Sequence, residues 1–256
     1  MTTALVTGPT AGIGLAFSEL LAREGHDLVL VSRDRGRLDE LAARLRAEHG
    51  VSAEVLVADL ADRAQLALVE ERLRSAERPV DILVNNAGFG LNQRFATGEL
   101  EREQYLLDVL VTAVMRLTHA AASTMRSRGS GDIVIVSSVA GFIAGGTYSA
   151  VKSWATVFAE GLNAELVGKG VRVSALCPGF TRTEFHERAG IEMQGLPGWL
   201  WLDKHFLVER AWRDHRRGRV VSVPGWQYRA LVLLTRVAPR GVVRRVGFSA
   251  RNRTRK

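Results

Sequence analysis

Tyr148 and Lys152 stand four residues apart in Tyr148-Ser149-Ala150-Val151-Lys152, and Ser137-Ser138 closes an apolar run ten residues before the tyrosine. On a helix, positions i and i+4 share a face with Cβ atoms about 5–6 Å apart, so a phenol and an ammonium enter one pocket. A phenol with an ordinary pKa of about 10 is a poor acid or base at neutral pH. A neighbouring cation favours the phenolate and lowers that value, which brings proton exchange into a useful range. The Y-x-x-x-K spacing alone has little specificity, because an exposed helix produces it as readily. Its weight comes from what precedes it.

The elements that must position these groups alternate between strand and helix. Ala4-Leu-Val-Thr7 is a short apolar strand running into Gly8-Pro-Thr10-Ala-Gly12-Ile13-Gly14, after which Leu15, Phe17, Leu20 and Leu21 recur at helical spacing. Glycines let a backbone approach a pyrophosphate, and the following helix N-terminus supplies free N–H groups and a positive dipole end. Leu28–Val31 is the next strand and ends in Ser32-Arg33, where a site for an unphosphorylated ribose would place an acid. A hydroxyl and a guanidinium suit a 2′-phosphate, so NADP(H) is favoured. Asp34, one residue later, leaves NAD(H) as the alternative. A helix over Arg37–Glu48, a strand Val55–Val57 leading to Asp59-Leu60, a helix Arg63–Ala76 and a strand Val80–Val84 leading to Asn85-Asn86-Ala87-Gly88 follow. The pattern predicts an α/β fold: a Rossmann-type, doubly wound parallel sheet in three α/β/α layers.

With 256 residues and 46% hydrophobic content, one large core is expected. Residues 1–225 form the dinucleotide-binding and catalytic domain in this reading, with a substrate lid at about 184–206 and a basic extension over 226–256. The one cysteine, Cys177, excludes an intramolecular disulfide; in a strand-like run it reads as a buried structural thiol, and a cytoplasmic setting is expected. The six histidines lack metal-ligand spacing, and no metal is expected. The N-terminus enters a strand without a signal-peptide pattern, and no run of 18 uncharged apolar residues predicts a membrane span. Charge is uneven: Lys204 to Lys256 carry 15 Lys and Arg against 2 Asp and Glu, in a chain whose net charge is +8.

Six motifs now stand in order: T-G-x-x-x-G-I-G at Thr7–Gly14, D-L at Asp59-Leu60, N-N-A-G at Asn85–Gly88, S-S at Ser137-Ser138, Y-x-x-x-K at Tyr148–Lys152 and P-G-x-x-x-T at Pro178–Thr183. This series resembles the short-chain dehydrogenase/reductase family over roughly residues 4–183, with β/α patterning to about Val223. The resemblance implies that Ser138 holds the substrate oxygen, Tyr148 exchanges the proton, and Lys152 binds the nicotinamide ribose while lowering the tyrosine pKa. It places Gly8, Thr10, Gly12, Ile13 and Gly14 at the pyrophosphate, with Ser32 and Arg33 at the ribose. Asp59 and Leu60 would lie near the adenine, and Asn86, Ala87 and Gly88 on the adenosine side. Pro178, Gly179, Thr181 and Thr183 would close over the nicotinamide. Two hydroxyls on one oxygen, with a cation behind them, suit the alkoxide that develops as hydride reaches a carbonyl.

Two departures stand out. Leu110 occupies the place of a family asparagine that helps hold a proton-relay water, and Leu106, Leu107, Ala113 and Val114 around it are apolar, whereas Thr112 lies about 200° away on an α-helix. Either Leu110 completes a packed apolar face or the relay is weakened. The interval from Ser138 to Tyr148 is shorter than usual for the family, so the loop through Gly145-Gly146 should reshape one wall of the substrate cleft. Trp154, Val157, Phe158 and Leu162 mark a helix that in the family often joins protomers, and a homo-oligomer is expected. Glu184–His205, rich in glycine and tryptophan, reads as an apolar lid. The helix from Trp226, with Ala230, Leu233, Leu234 and Val237, reads as core-packed with its arginines outward; peripheral membrane or acyl-carrier contact is the alternative. Nucleic acid is not an expected partner, since no base-reading module accompanies the charge. The function expected is NADPH-dependent reduction of a ketone or aldehyde, including a lipophilic 3-oxoacyl group. The alternatives are an NAD-dependent secondary-alcohol dehydrogenase and a low-turnover cofactor-binding scaffold.

Overall fold

Short runs of Val, Leu and Ile bounded by glycine turns make strands buried on both faces, which is the condition for an all-parallel sheet. The computed structural model describes residues 2–185, 190, 197–239, 241 and 243. Its strands are β1 (Thr3–Thr7), β2 (Asp27–Ser32), β3 (Ala53–Val57), β4 (Ile82–Asn85), β5 (Gly131–Val136), β6 (Val171–Leu176) and β7 (Val221–Ser222). They form one sheet in the order β3-β2-β1-β4-β5-β6-β7, every pair parallel. Val6 of β1 lies between Leu30 of β2 and Val84 of β4, so the chain order reverses at the β1–β4 junction. In open α/β sheets, ligands bind at that switch point, beyond the carboxyl ends of the strands.

Helices α1 (Gly12–Arg23), α2 (Arg35–His49) and α7 (Lys204–Arg216) bring Phe17, Leu21, Leu38, Leu45, Leu207 and Trp212 onto one face of the sheet. Helices α3 (Arg63–Arg74), α5 (Val114–Arg128) and α6 (Thr147–Leu166) bring Leu66, Leu73, Leu117, Met125, Ala155 and Ala159 onto the other. Aspartates begin three of them: Asp34 accepts from Arg37 N, Asp62 from Ala64 N and Gln65 N, and Asp203 from His205 N and Phe206 N. A short α4 (Leu100–Leu107) runs through a π turn, Asp108–Ala113, into α5. The run Leu100–Arg128 is long and apolar enough to cross a bilayer, but 56% of its most apolar window is buried inside the protein.

Three sequence expectations change. The lid reading extended through 206, yet Asp203 starts α7, so residues 204–206 are regular helix. The β/α patterning expected to about Val223 ends in a last strand of two residues, Val221–Ser222. The terminal helix, α8 (Trp226–Val237), is not core-packed along its apolar stripe: Tyr228 and Val232 are its buried residues, while Trp226, Leu233, Leu234 and Val237 face outward.

At the base of the sheet, His215 of α7 joins Ser174 Oγ (2.7 Å) to Asp132 Oδ1 (2.8 Å), and Arg172 donates to the same carboxylate at 2.7 and 3.0 Å. Burial pushes the Asp132 carboxyl up, but the His215 and Arg172 hydrogen bonds outweigh it and bring the pKa to about 2. The folded value lies below the ordinary 3.8, so this group contributes stability that is present above about pH 4 and lost as pH falls through about 2. Asp132→Asn should remove about 2 kcal/mol at neutral pH and flatten the urea midpoint between pH 4 and 2 relative to wild type. Unfolding curves with equal acid slopes in the two proteins would refute the assignment.

Candidate active site

The carboxyl end of β5 and the start of α6 carry the reactive hydroxyls. Ser137 is buried, donates to the Lys152 carbonyl at 2.6 Å and shares a 2.8 Å hydrogen bond with Thr156. It therefore holds α6 against β5 rather than facing the cleft. Ser138 is extended and accepts from Ala140 N at 3.1 Å, and its hydroxyl stands near enough to the Tyr148 phenol to lower that phenol's pKa. Thr147 opens α6 behind Gly146, whose φ of +89° suits glycine, so Tyr148 and Lys152 lie on consecutive turns of one helix. The short loop between the two serines and this helix is pressed onto it: a Cβ on Gly141 would lie 2.8 Å from the Lys152 carbonyl carbon. Ten residues suffice to carry the chain from Ser138 to Tyr148 because glycine lets the loop touch the helix backbone.

Lys152 is not where the sequence argument put its charge. Its Nζ donates to the Val136 carbonyl at 2.8 Å and lies 5.7 Å from the centre of the Tyr148 ring. Burial lowers its pKa to about 8, with the Cys177 thiol opposing that shift. Burial likewise pushes the Tyr148 phenol above its ordinary range, and the Ser138 hydrogen bond offsets this only in part. The expected lowering of the tyrosine by the lysine is therefore absent from this arrangement, because both groups are desolvated and the ammonium is held by a backbone carbonyl. A phenol in this state is a proton donor at neutral pH. Cys177, fully buried and pushed up to about 11 by burial, is the inert thiol expected.

Leu110 sits in the π turn, 2% exposed, among Leu106, Val109 and Val151 and against Tyr148. It also faces Gly88, where a Cβ would lie 3.7 Å from its side chain. The packed apolar face is what the structure shows. The α-helical angle assumed for Thr112 does not hold, since a π turn is wider than an α turn.

The glycine turn stands at the carboxyl end of β1. Gly8 and Gly12 have φ of +64° and +56°, and a Cβ on Gly14 would lie 2.2 Å from the Gly8 carbonyl oxygen and 2.3 Å from Asn86 Nδ2. Asn86 fixes the turn by donating to the carbonyls of Thr7 (2.9 Å) and Gly8 (3.0 Å), while the Asn86 and Ala87 N–H groups both donate to Thr7 Oγ1. Thr10 and Ile13 are half-buried on this turn, and Thr183 packs against Gly12, 3.2 Å from where its Cβ would be. No side chain caps α1 and its first turn holds no acid. That leaves backbone N–H groups directed at a cradle without side chains, a fit for a pyrophosphate.

At the ends of β2 and β3, Arg33 Nη1 donates to the Tyr105 hydroxyl at 2.6 Å, and that hydroxyl lies 3.3 Å from both Asp59 oxygens. Arg33 is 3.8 Å from Asp59 and remains 68% exposed at its side chain. Asp59 is held by Ala61 N, and Leu60 beside it is buried. Ser32 Oγ accepts from Asp34 N, and the Asp34 carboxylate caps α2 by accepting from Arg37 N. Tyr105, missed in the sequence, carries no motif; an aromatic one turn from the end of a helix is its only signal.

Pro178–Thr183 leaves β6 and meets the stretch Leu200–Leu202. Thr181 bridges to Leu202, Leu202 N donates to the Phe180 carbonyl at 2.8 Å, and Arg182 N donates back at 3.0 Å. The Tyr228 ring of α8 lies flat against Gly179, where any Cβ would be 2.1 Å from Cζ; its hydroxyl accepts from Phe180 N (2.9 Å) and donates to the Leu200 carbonyl (2.5 Å). Phe185 reaches the Tyr148 ring at 5.9 Å. Tyr228 too escaped the sequence reading, which followed the apolar stripe on the other side of its helix. The rest of the expected lid, residues 186–189 and 191–196, lies outside the described residues. Among the described residues, no cluster of three metal-binding side chains occurs.

The Lys152 pKa gives a direct test of this desolvated site. The folded value of about 8 lies below the ordinary 10.5, so the folded state binds fewer protons between them and gains stability as pH rises through that window. Lys152→Met abolishes the gain. From pH 8 to 10 the wild-type unfolding free energy should rise relative to the variant's by about 2 kcal/mol; no relative change would show that the lysine is solvated.

The model of the short chain dehydrogenase family matches residues 2–193. A short-chain dehydrogenase from Sphingobium yanoikuyae, solved in complex with NADPH, is 41% identical with a TM-score of 0.84, over 90% of this chain and 92% of that one. The bulky-bulky ketone specific alcohol dehydrogenase from Comamonas testosteroni is 36% identical with a TM-score of 0.80, over 92% of each chain. The ketoacyl reductase HetN of Nostoc is 33% identical over 181 residues, 70% of this chain and 63% of that protein. With its six motifs gathered at one sheet edge and three quarters of its length matched, the chain belongs to the short-chain dehydrogenase family.

Proposed function

We propose that this protein is an NADPH-dependent reductase of bulky, lipophilic ketones, with a 3-oxoacyl group among the fitting substrates. The observation that carries this reading is the placement of Tyr148 and Lys152 on consecutive turns of α6, beside Ser138 at the end of β5, with Lys152 Nζ 5.7 Å from the centre of the tyrosine ring. A neutral phenol has a proton to give to an oxygen gaining charge. The NADPH complex of the Sphingobium relative and the ketone named for the Comamonas enzyme support the same reading.

The cradle at Gly8–Gly14 would hold the pyrophosphate, Ser32 and Arg33 the 2′-phosphate, Asp59, Leu60 and Asn86–Gly88 the adenosine half, and Lys152 with Pro178–Thr183 the nicotinamide end. When bound, the reduced nicotinamide supplies hydride. Ser138 orients the carbonyl oxygen, and Tyr148 delivers its proton to that oxygen as charge develops. Lys152, with a pKa of about 8, stands one helical turn behind to stabilise the phenolate left after transfer. Phe185, whose ring lies 5.9 Å from that of Tyr148, gives the site an apolar neighbour suited to a lipophilic substrate. The exposed Val157 and Met115 on α6 and α5 support a homo-oligomeric assembly through these helices.

Oxidation of NADPH with a panel of small and bulky ketones should show turnover that favours the bulky ones. Tyr148→Phe should reduce it by about 10²- to 10⁴-fold, the range for losing a general acid. Arg33→Ala should weaken binding of 2′,5′-ADP by about tenfold or more and leave ADP binding unchanged, since the lost contact is to the 2′-phosphate. Equal turnover in wild type and Tyr148→Phe would overturn the assigned chemistry.

A further inference from the structure

Helix α8 presents an apolar stripe to solvent. At 100° per residue, Trp226, Ala230, Leu233, Leu234 and Val237 fall within about one third of its circumference. Trp226 is 74% exposed, Leu233 64%, Leu234 62% and Val237 73%. Trp199, 61% exposed, stacks on Trp226 with ring centres 6.2 Å apart and extends the stripe beyond the helix start. Single exposed apolar residues are ordinary on a protein surface; five large ones in contiguous array mark an interaction site.

The charges around the stripe identify what it meets. Arg229 and Arg236 lie about two turns apart along one edge of it, about 60–80° from Trp226. From Trp226 to Lys256 the sequence holds nine Lys and Arg and no Asp or Glu. A two-fold contact with a second copy through this stripe would bring Arg229 and Arg236 of both copies to one interface, which like-charge repulsion opposes. Tryptophans at one end, aliphatic side chains along the stripe and arginines at its edge match instead the boundary between acyl chains and anionic headgroups.

We infer that α8, with Trp199, is a docking face for an anionic lipid bilayer, on which the protein lies as a peripheral membrane protein. The opposite side of the same helix carries Tyr228, which packs on Gly179 and bonds Phe180 and Leu200 beside the cleft. Docking would therefore place the cleft next to the bilayer, a suitable source for lipophilic ketones. The docking itself does not depend on the catalytic reading.

The test is co-sedimentation of the full chain with vesicles of phosphatidylcholine alone or mixed with phosphatidylglycerol, at low and moderate salt. Partition should be at least about tenfold stronger on the anionic vesicles and fall with salt. The double substitution Leu233→Glu, Leu234→Glu should cut partition by about tenfold or more while circular dichroism and 2′,5′-ADP binding stay unchanged, because both side chains are exposed. Arg229→Gln with Arg236→Gln should lower partition on anionic vesicles by about fivefold per arginine. Absence of binding to anionic vesicles at low salt overturns the inference, as does partition unaffected by the glutamates. It is equally overturned if the glutamate variant loses only self-association in sedimentation velocity, or only binding to an acidic acyl carrier protein.

Discussion

The end of β5 and the first turns of α6 are joined twice across one residue. The Lys152 ammonium donates to the Val136 carbonyl, and the Lys152 carbonyl accepts from Ser137. These two bonds hold the helix that carries Tyr148 at a set height above the strand end that carries Ser138, and the nearness of the serine and tyrosine hydroxyls follows from that placement. The cost is a desolvated lysine, whose depressed pKa measures how far its ammonium has been taken out of water. The site is thus a local destabilisation, borne by a sheet whose interior strands are buried on both faces.

A second consequence concerns how the tyrosine is readied. A lysine close enough to stabilise a phenolate is commonly taken to lower the resting phenol pKa. Here the resting ammonium has a better partner in a backbone carbonyl, and apolar Leu110 and Val151 enclose the ring. In the proposed reduction the phenol stays neutral until charge develops beside it. Stabilisation that acts on the charged product of proton transfer, more than on the resting donor, is where electrostatics lowers a barrier.

Most of the sheet was legible in the sequence because each strand is an apolar run ending in a motif with a physical job: Thr7–Gly14, Asp59-Leu60, Asn85–Gly88 and Ser137-Ser138 all fall at strand ends. Position in the fold then brought them together. What escaped were residues whose role lies in a partner far along the chain. Tyr105 meets Arg33 across 72 positions, and Tyr228 meets Phe180 across 48. Neither has a local pattern to betray it. Helix α7 was hidden differently, by glycine and tryptophan just before its Asp203 cap, which made the whole stretch read as loop.

The terminal helix shows why periodicity names a face without saying which way it turns. Its apolar residues recur as they would on a core helix, so inward packing was the natural reading. The helix has two apolar sides, however, and the smaller one, Tyr228 with Val232, is the buried one. Tyr228 wins because it offers more than area: the flat ring fits a glycine that leaves no room for any Cβ, and its hydroxyl satisfies one donor and one acceptor of the loop beneath. A leucine stripe turned inward would leave the Phe180 N–H and the Leu200 carbonyl without that partner, a penalty comparable with the gain from burying one more aliphatic side chain. The polar pairing decides the rotation of α8, and the broad apolar stripe is exposed as a result.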